Sequence, residues 1–178
     1  MSEQAEVVII GGGIMGTSLA LALTRLGIRD VLVLERHTVA SGASGKTGAL
    51  LRQHYTNVPE ATLAHLSLQT FANWADAVGG DCGFRRTGSI VTVATSGDDA
   101  VNVERMHRVV AMQREVGIQS EVISADRLVD LQPFDRADDI TAAIYERDSG
   151  YVDAVAATHG MADAAIRGGA RVRERCAV

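Results

Sequence analysis

Apolar and polar positions follow two rhythms along this chain, and the change from one to the other marks out its elements. Val7-Val8-Ile9-Ile10 is a short β-branched run with no polar interruption, which predicts a strand buried on both faces. Glycines follow at once, and from Ile14 to Leu26 the apolar residues Met15, Leu19, Ala22, Leu23 and Leu26 recur at helical spacing up to Gly27. Val31-Leu32-Val33-Leu34 is a second apolar run, and it ends on Glu35. Strand, turn, helix and strand in this order predict a βαβ unit.

Beyond Glu35 the rhythm disappears. Arg36 to Ala49 is rich in glycine, serine and threonine, and no helical period returns until about Pro59. Irregular stretches of this length inside a compact domain are usually functional. From Asn57 the spacing of Ala64, Leu68, Phe71, Ala75 and Val78 predicts one helix closed by Gly79-Gly80, with Leu63 and Trp74 widening its buried stripe. Phe84 to Thr95 alternates as a strand does, centred on Ile90, Val91 and Val93. Asp98 is placed to cap a helix reaching Val116, with Val103, Met106 and Val110 on its inner face. Ser124 opens a short helix, Ala125 to Leu131, broken by Pro133, and Ile140 to Glu146 predicts another strand. Asp153 is a candidate cap for a helix from Ala154 to Arg167, with Val155, Ala162 and Ile166 inward. Arg171 to Val178 then predicts a strand beside the one that ends on Glu35. The fold class is therefore α/β, a Rossmann-type βαβ unit with an inserted α+β domain. The expected bounds are 1–80 for the first part of the α/β domain, 81–150 for the insertion and 151–178 for the returning helix and strand.

Bulk properties exclude more than they assign. The 178 residues are 47% hydrophobic and 22% charged, an ordinary globular balance, and a net charge of −5 gives no electrostatic footprint for nucleic acid or anionic lipid. The first six residues carry no basic group ahead of a short apolar run, unlike a secretory signal, and no run reaches membrane-spanning length. Cys82 and Cys176 have no metal-site spacing, so no metal is expected and a reducing compartment, the cytoplasm, is the default.

The chemistry begins at Gly11-Gly12-Gly13-Ile14-Met15-Gly16, which holds the G-x-G-x-x-G spacing between the first strand and the first helix. Gly11 permits a tight turn, Gly13 lets the backbone approach a pyrophosphate, and Gly16 lets helix and strand pack closely. The helix start offers N–H groups to phosphate oxygens. Glu35, nineteen residues past Gly16, is placed for ribose hydroxyls and would repel a 2′-phosphate, which selects FAD or NAD over NADP.

With that fingerprint, Glu35-Arg36, the loop Ser41-Gly42-Ala43-Ser44-Gly45-Lys46-Thr47 and the following Arg52-Gln53-His54-Tyr55, the chain resembles the FAD-dependent glycine/sarcosine oxidase and D-amino acid oxidase family, on its sarcosine oxidase and dimethylglycine dehydrogenase side. Thr87-Gly88-Ser89-Ile90 and Asp148-Ser149-Gly150-Tyr151-Val152-Asp153 extend the likeness along the chain. The resemblance implies FAD, with its pyrophosphate on Gly11 to Gly16, Ile14 and Met15 included, and its adenine ribose on Glu35. It also implies cofactor contacts from Arg36, Ser41, Ser44, Gly45, Lys46, Thr47 and the backbone of Val178. Arg52 matches an arginine that pairs with the substrate carboxylate, and Tyr55 is its expected neighbour. The implied activity is oxidation of the C–N bond of an N-methyl or secondary amino acid, by hydride transfer to flavin N5. The electron acceptor, oxygen or an electron-transfer protein, is left open. Family members continue well past residue 178, so the resemblance implies an N-terminal part with both domains incomplete. Two alternatives stay open: an FAD-dependent 2-hydroxy acid or glycerol phosphate dehydrogenase, and a non-catalytic nucleotide-binding fragment or subunit.

Overall fold

The computed structural model describes residues 4–133 and 136–178. Met1–Glu3, at the head of the expected first domain, and residues 134–135, inside the expected insertion, lie outside the described residues. The elements in order are β1 (Val7–Ile10), α1 (Ile14–Arg25), β2 (Val31–Leu34), a 3-10 turn (Ala43–Lys46), β3 (Leu50–Leu51), α2 (Val58–Ala72), α3 (Trp74–Ala77), β4 (Arg85–Arg86), β5 (Ser89–Ala94), α4 (Asp99–Glu115), β6 (Ser120–Ile123), α5 (Ala125–Leu131), β7 (Ile140–Glu146), β8 (Gly150–Tyr151), α6 (Ala154–Arg167) and β9 (Arg171–Arg173). They fall into two compact units. The first comprises Met1–Leu50, Thr70–Phe84 and Tyr151–Val178, and the second Leu51–Gln69 and Arg85–Gly150.

In the first unit β1, β2 and β9 form a parallel sheet in that order, with Val8 opposite Leu32 and Val33 opposite Val172. The returning strand thus lies beside the one ending on Glu35, as expected. It is shorter than expected, closing at Arg173, and Arg175 adopts a positive φ of 56°.

The expectation that β1 is buried on both faces is corrected. Ile9 is buried, but Val8 is 50% and Ile10 70% exposed, because they lie on the opposite face of a strand at the sheet's edge.

Helix faces are corrected in the same way. In α1 the stripe expected inside, Met15, Leu19, Ala22 and Leu26, is exposed, with Met15 at 80% and only Leu23 half-buried. The buried face is Thr17, Ala20, Leu21 and Thr24. Close packing explains it: Thr24 lies so near Gly168, just past α6, that a Cβ there would sit 2.7 Å from its side chain. Small residues permit that approach. Their hydroxyls add no unsatisfied polar group, since Thr17 donates to the Gly13 carbonyl at 3.2 Å and Thr24 to the Leu21 carbonyl at 2.8 Å. In α6 the inward set is Ala157, Thr158, Met161, Ala162, Ala164 and Ala165, while Val155 and Ile166 point to solvent.

The helix expected from Asn57 to Val78 is two helices, interrupted at Asn73, whose φ and ψ are −113° and 37°. Leu63 and Ala75 are exposed, contrary to expectation, whereas Trp74 is buried and stacks on Phe71 with ring centroids 5.4 Å apart.

At the start of α6 the expected cap is present: one Asp153 carboxylate oxygen accepts the Val155 and Ala156 N–H groups, both at 2.9 Å. Asp153→Ala is expected to cost about 1 kcal/mol, read as a lowered urea midpoint with unchanged slope.

In the second unit β5, β7 and β6 form an antiparallel sheet with β7 central. Ile90 pairs with Tyr145, Val91 with Ile144, and Ser120 with Glu146. Met106, Val110, Ala142 and Ile144 pack one core cluster, and Ile123, Leu128 and Ala143 another. The strand expected over Phe84 to Thr95 is split, because Gly88 turns with a φ of 78° between β4 and β5. β6 is too short and too polar to stand out in the sequence. Ser124 caps α5 by accepting the Arg127 N–H at 3.2 Å. Asp98 makes no such bond at α4; instead Asp99 accepts the Ser96 N–H at 3.0 Å.

Candidate functional site

Where β1 gives way to α1 the chain must reverse within three residues, and Gly11 does so at a φ of 109°. The reversal brings Gly16 against the turn, where an added Cβ would lie 2.0 Å from the Gly11 carbonyl oxygen. Gly13 caps α1 in an extended conformation, with no side chain of its own to meet the first amides. The Ser44 hydroxyl, carried in by the 3-10 turn, accepts the Ile14 N–H at 2.9 Å. That leaves the Ser44 O–H to donate to an acceptor at the helix start.

Glu35 closes the other side of the corner. One carboxylate oxygen accepts the Gly12 N–H and the other the His37 N–H, each at 2.8 Å. These two bonds, the Gly12 one foremost, hold its carboxyl below the usual glutamate range. A group whose folded pKa is depressed contributes stability above its unfolded value and loses it as pH falls through the folded one. The difference in melting temperature between wild type and Glu35→Gln is therefore expected to be constant from pH 6 to 8. It should shrink only below about pH 4, under the ordinary glutamate value.

The returning chain completes the corner. The Glu35 N–H donates to the Arg173 carbonyl at 2.8 Å, Cys176 N–H to the Glu35 carbonyl at 2.9 Å, and Arg175 N–H to the His37 carbonyl at 2.8 Å. These bonds carry Cys176 and Val178 to the rim of a cavity of about 280 Å³, lined also by Ile10, Gly11, Leu34, Glu35 and Arg36. Four residues singled out by sequence, Gly11, Glu35, Arg36 and Val178, meet there. Ile10, Leu34 and Cys176 were not anticipated. Ile10 and Leu34, as the last residues of the two apolar runs, carried a usable signal, whereas nothing in the sequence marks Cys176.

Other residues named from the sequence lie nearby in the first unit. Gly45 sits under the Ala40 carbonyl, 2.1 Å from where its Cβ would be, while Lys46 and Thr47 are exposed and Ser41 is half-buried. The expected irregular loop contains one ordered turn, Ala43–Lys46. Met15 faces solvent. Arg52 and Tyr55 belong to the second unit, where the Arg52 guanidinium lies 5.1 Å over the Tyr55 ring and donates to the His54 carbonyl at 2.6 Å. Among the described residues no His, Cys, Asp and Glu are grouped as a metal would require, and no helix is long and apolar enough to cross a membrane.

The corner suits a dinucleotide. A carboxylate has about four acceptor positions, so Glu35 can receive ribose hydroxyls beside the two N–H groups that aim it, and Ile10, Leu34 and Val178 offer apolar surface to a flat ring.

The chain is similar to several known proteins. The family model described as FAD dependent oxidoreductase matches residues 6–178. The mitochondrial pyruvate dehydrogenase phosphatase regulatory subunit of Mus musculus is 31% identical over the whole chain, and the mitochondrial sarcosine dehydrogenase of Mus musculus 29% identical, again over the whole chain. The chain spans about a fifth of the length of these curated relatives, 20% and 19%. Among solved structures, L-proline dehydrogenase from P. horikoshii superposes with a TM-score of 0.87 at 24% identity, over 98% of this chain and 45% of that one, a likeness of fold.

Proposed function

This chain belongs to the FAD dependent oxidoreductase family, and from that membership we propose that it forms the part of a flavoenzyme that holds FAD and receives an N-methyl or secondary amino acid. The observation that carries the proposal is the glycine corner, clasped by Glu35 through Gly12 and opening on a cavity at the end of the parallel sheet. Gly11 to Gly16 would hold the pyrophosphate and Glu35 the adenine ribose. Arg36 and the Val178 backbone would flank the adenosine. Ser41, Ser44, Gly45, Lys46 and Thr47 would contact the remainder of the cofactor. When bound, FAD supplies a two-electron acceptor for a C–H bond beside an amine nitrogen.

The share of the protein in that chemistry is orientation. Arg52 presents a planar pair of donors that matches a carboxylate, and its packing over Tyr55 limits the directions it can take. A sarcosine-like substrate has both the carboxylate and the secondary amine this scheme needs, and the sarcosine dehydrogenase relative supports that choice. A cytoplasmic location rests on composition alone, and both curated relatives named above are mitochondrial.

A second reading has its own support, because the 31% identical relative is a regulatory subunit. In that reading the corner binds nucleotide and no amine is oxidised. One experiment separates the two: equilibrium dialysis with FAD, AMP and NAD, followed by anaerobic addition of sarcosine and dimethylglycine. Retained FAD that bleaches supports the flavoenzyme. Retained FAD that never bleaches supports the regulatory subunit, and bleaching by 2-hydroxy acids or glycerol phosphate alone replaces the substrate class. Failure to bind any of the three nucleotides removes both readings.

A further inference from the structure

The second unit buries one carboxylate completely. Glu146, the last residue of β7, has no exposed surface, and the groups around it are donors. One of its oxygens accepts the Gln53 N–H at 2.8 Å and the Ser149 hydroxyl at 3.0 Å. The other lies 3.4 Å from Gln113 Nε2 and 3.6 Å from His54 Nδ1. The Gln53 side chain is in turn anchored, its Oε1 being 2.8 Å from His65 Nδ1.

Taking a carboxylate out of water costs several kcal/mol, and an apolar side chain of similar size is often the more stable occupant. Stability alone is therefore a poor account of Glu146. What it grips is informative: Gln53 and His54 are the two residues between Arg52 and Tyr55. Arg52 donates to the His54 carbonyl at 2.6 Å and covers the Tyr55 ring, so its direction depends on where that short segment is held. Glu146 holds it from a rigid base, since β7 is the central strand and Glu146 is paired on both sides, with Ser89 and with Ser120.

We infer that Glu146 is a positioning residue: by binding the Gln53 amide and facing the His54 ring, it sets the Arg52 guanidinium for a substrate carboxylate. Glu146 touches no substrate. The inference rests on the reading of Arg52 given under Proposed function.

The test uses the full chain loaded with FAD, with sarcosine as the probe. Binding is read from the sarcosine concentration that half-saturates the rate of anaerobic flavin bleaching, and the limiting rate from bleaching at saturating sarcosine. Glu146→Gln preserves shape but turns an NH2 group toward donors. It is expected to weaken sarcosine binding about tenfold, the scale of one charge-assisted hydrogen bond, with the bleaching rate changed less than twofold and FAD retention intact. Arg52→Gln should weaken binding further, and the double variant should match Arg52→Gln, because Glu146 acts through Arg52.

Unchanged affinity in Glu146→Gln, or losses that multiply in the double variant, would overturn the inference while leaving Arg52 in its role. Unchanged affinity in Arg52→Gln would instead remove the reading on which the inference rests. If Glu146→Gln does not fold, Ser149→Ala takes its place. It removes one donor from the same oxygen, and two- to threefold weaker binding is expected. No change there would also count against the inference.

Discussion

Gly16→Ala is expected to strip the protein of its FAD and of most of its stability. Inside an exposed helix the same exchange ordinarily helps, by about 1 kcal/mol, because alanine is the better helix former. Here the methyl would stand 2.0 Å from the Gly11 carbonyl oxygen and 3.3 Å from Ile9 Cγ2. Backbone cannot swing aside as the tip of a side chain can, so α1 must separate from β1 or the turn must open, at a cost of several kcal/mol. Either movement also carries the Ile14 amide away from Ser44 and Gly12 away from Glu35. The expected readings are a urea midpoint lowered severely and FAD affinity reduced by at least tenfold. Gly48→Ala is the matched control, since an added Cβ there meets nothing within 4 Å, and it should be neutral. Wild-type stability in Gly16→Ala would show that the corner is not held as tightly as described.

The second large effect concerns Arg52. Arg52→Lys is expected to raise the KM for a carboxylated amine about ten- to a hundredfold while leaving FAD retention unchanged. A lysine keeps the charge but loses the paired donors, and one hydrogen bond to a charged group contributes about 1.5–3 kcal/mol. The substitution also removes a flat group from the Tyr55 ring and a donor from the His54 carbonyl, so the segment around it loses order as well as a ligand contact. An unaltered KM would place substrate recognition elsewhere. A fall in kcat of the same size as the rise in KM would point to misalignment at the reacting carbon rather than weaker capture.

Much of the fold was legible because local signals set it. Ser124 and Asp153 are capping residues followed by apolar period, and α5 and α6 begin where those caps place them. The glycine corner was legible for the same reason, since its spacing states its own geometry. Faces were not legible. The largest apolar side chains of α1 and α6 lie outside and threonines and alanines inside, because two helices in close approach need small residues between them, and a hydrophobicity pattern weighs size in the opposite sense. Asp98 stands at the N-cap position of α4 but makes no side-chain cap bond, because its backbone, with φ −103° and ψ 33°, is not extended as those of Ser124 and Asp153 are. The network around Glu146 was invisible for another reason: Gln53, Gln113 and Glu146 lie far apart in the chain, and nothing in the motif that holds Gln53 points to either partner.

Among the described residues β1 is one margin of the parallel sheet, and that margin bears on how these 178 residues behave when handled by themselves. Val8 and Ile10 show their side chains on one face of β1, and Met15, Leu19 and Leu26 are separately exposed along α1. A strand at a sheet margin also carries backbone groups suited to pairing with a neighbouring molecule. Stickiness of that kind grows with concentration and with salting-out ions, which also screen the repulsion that a net charge of −5 provides. Dilute, low-salt handling, or a mild detergent over the greasy patch, is what such a surface demands.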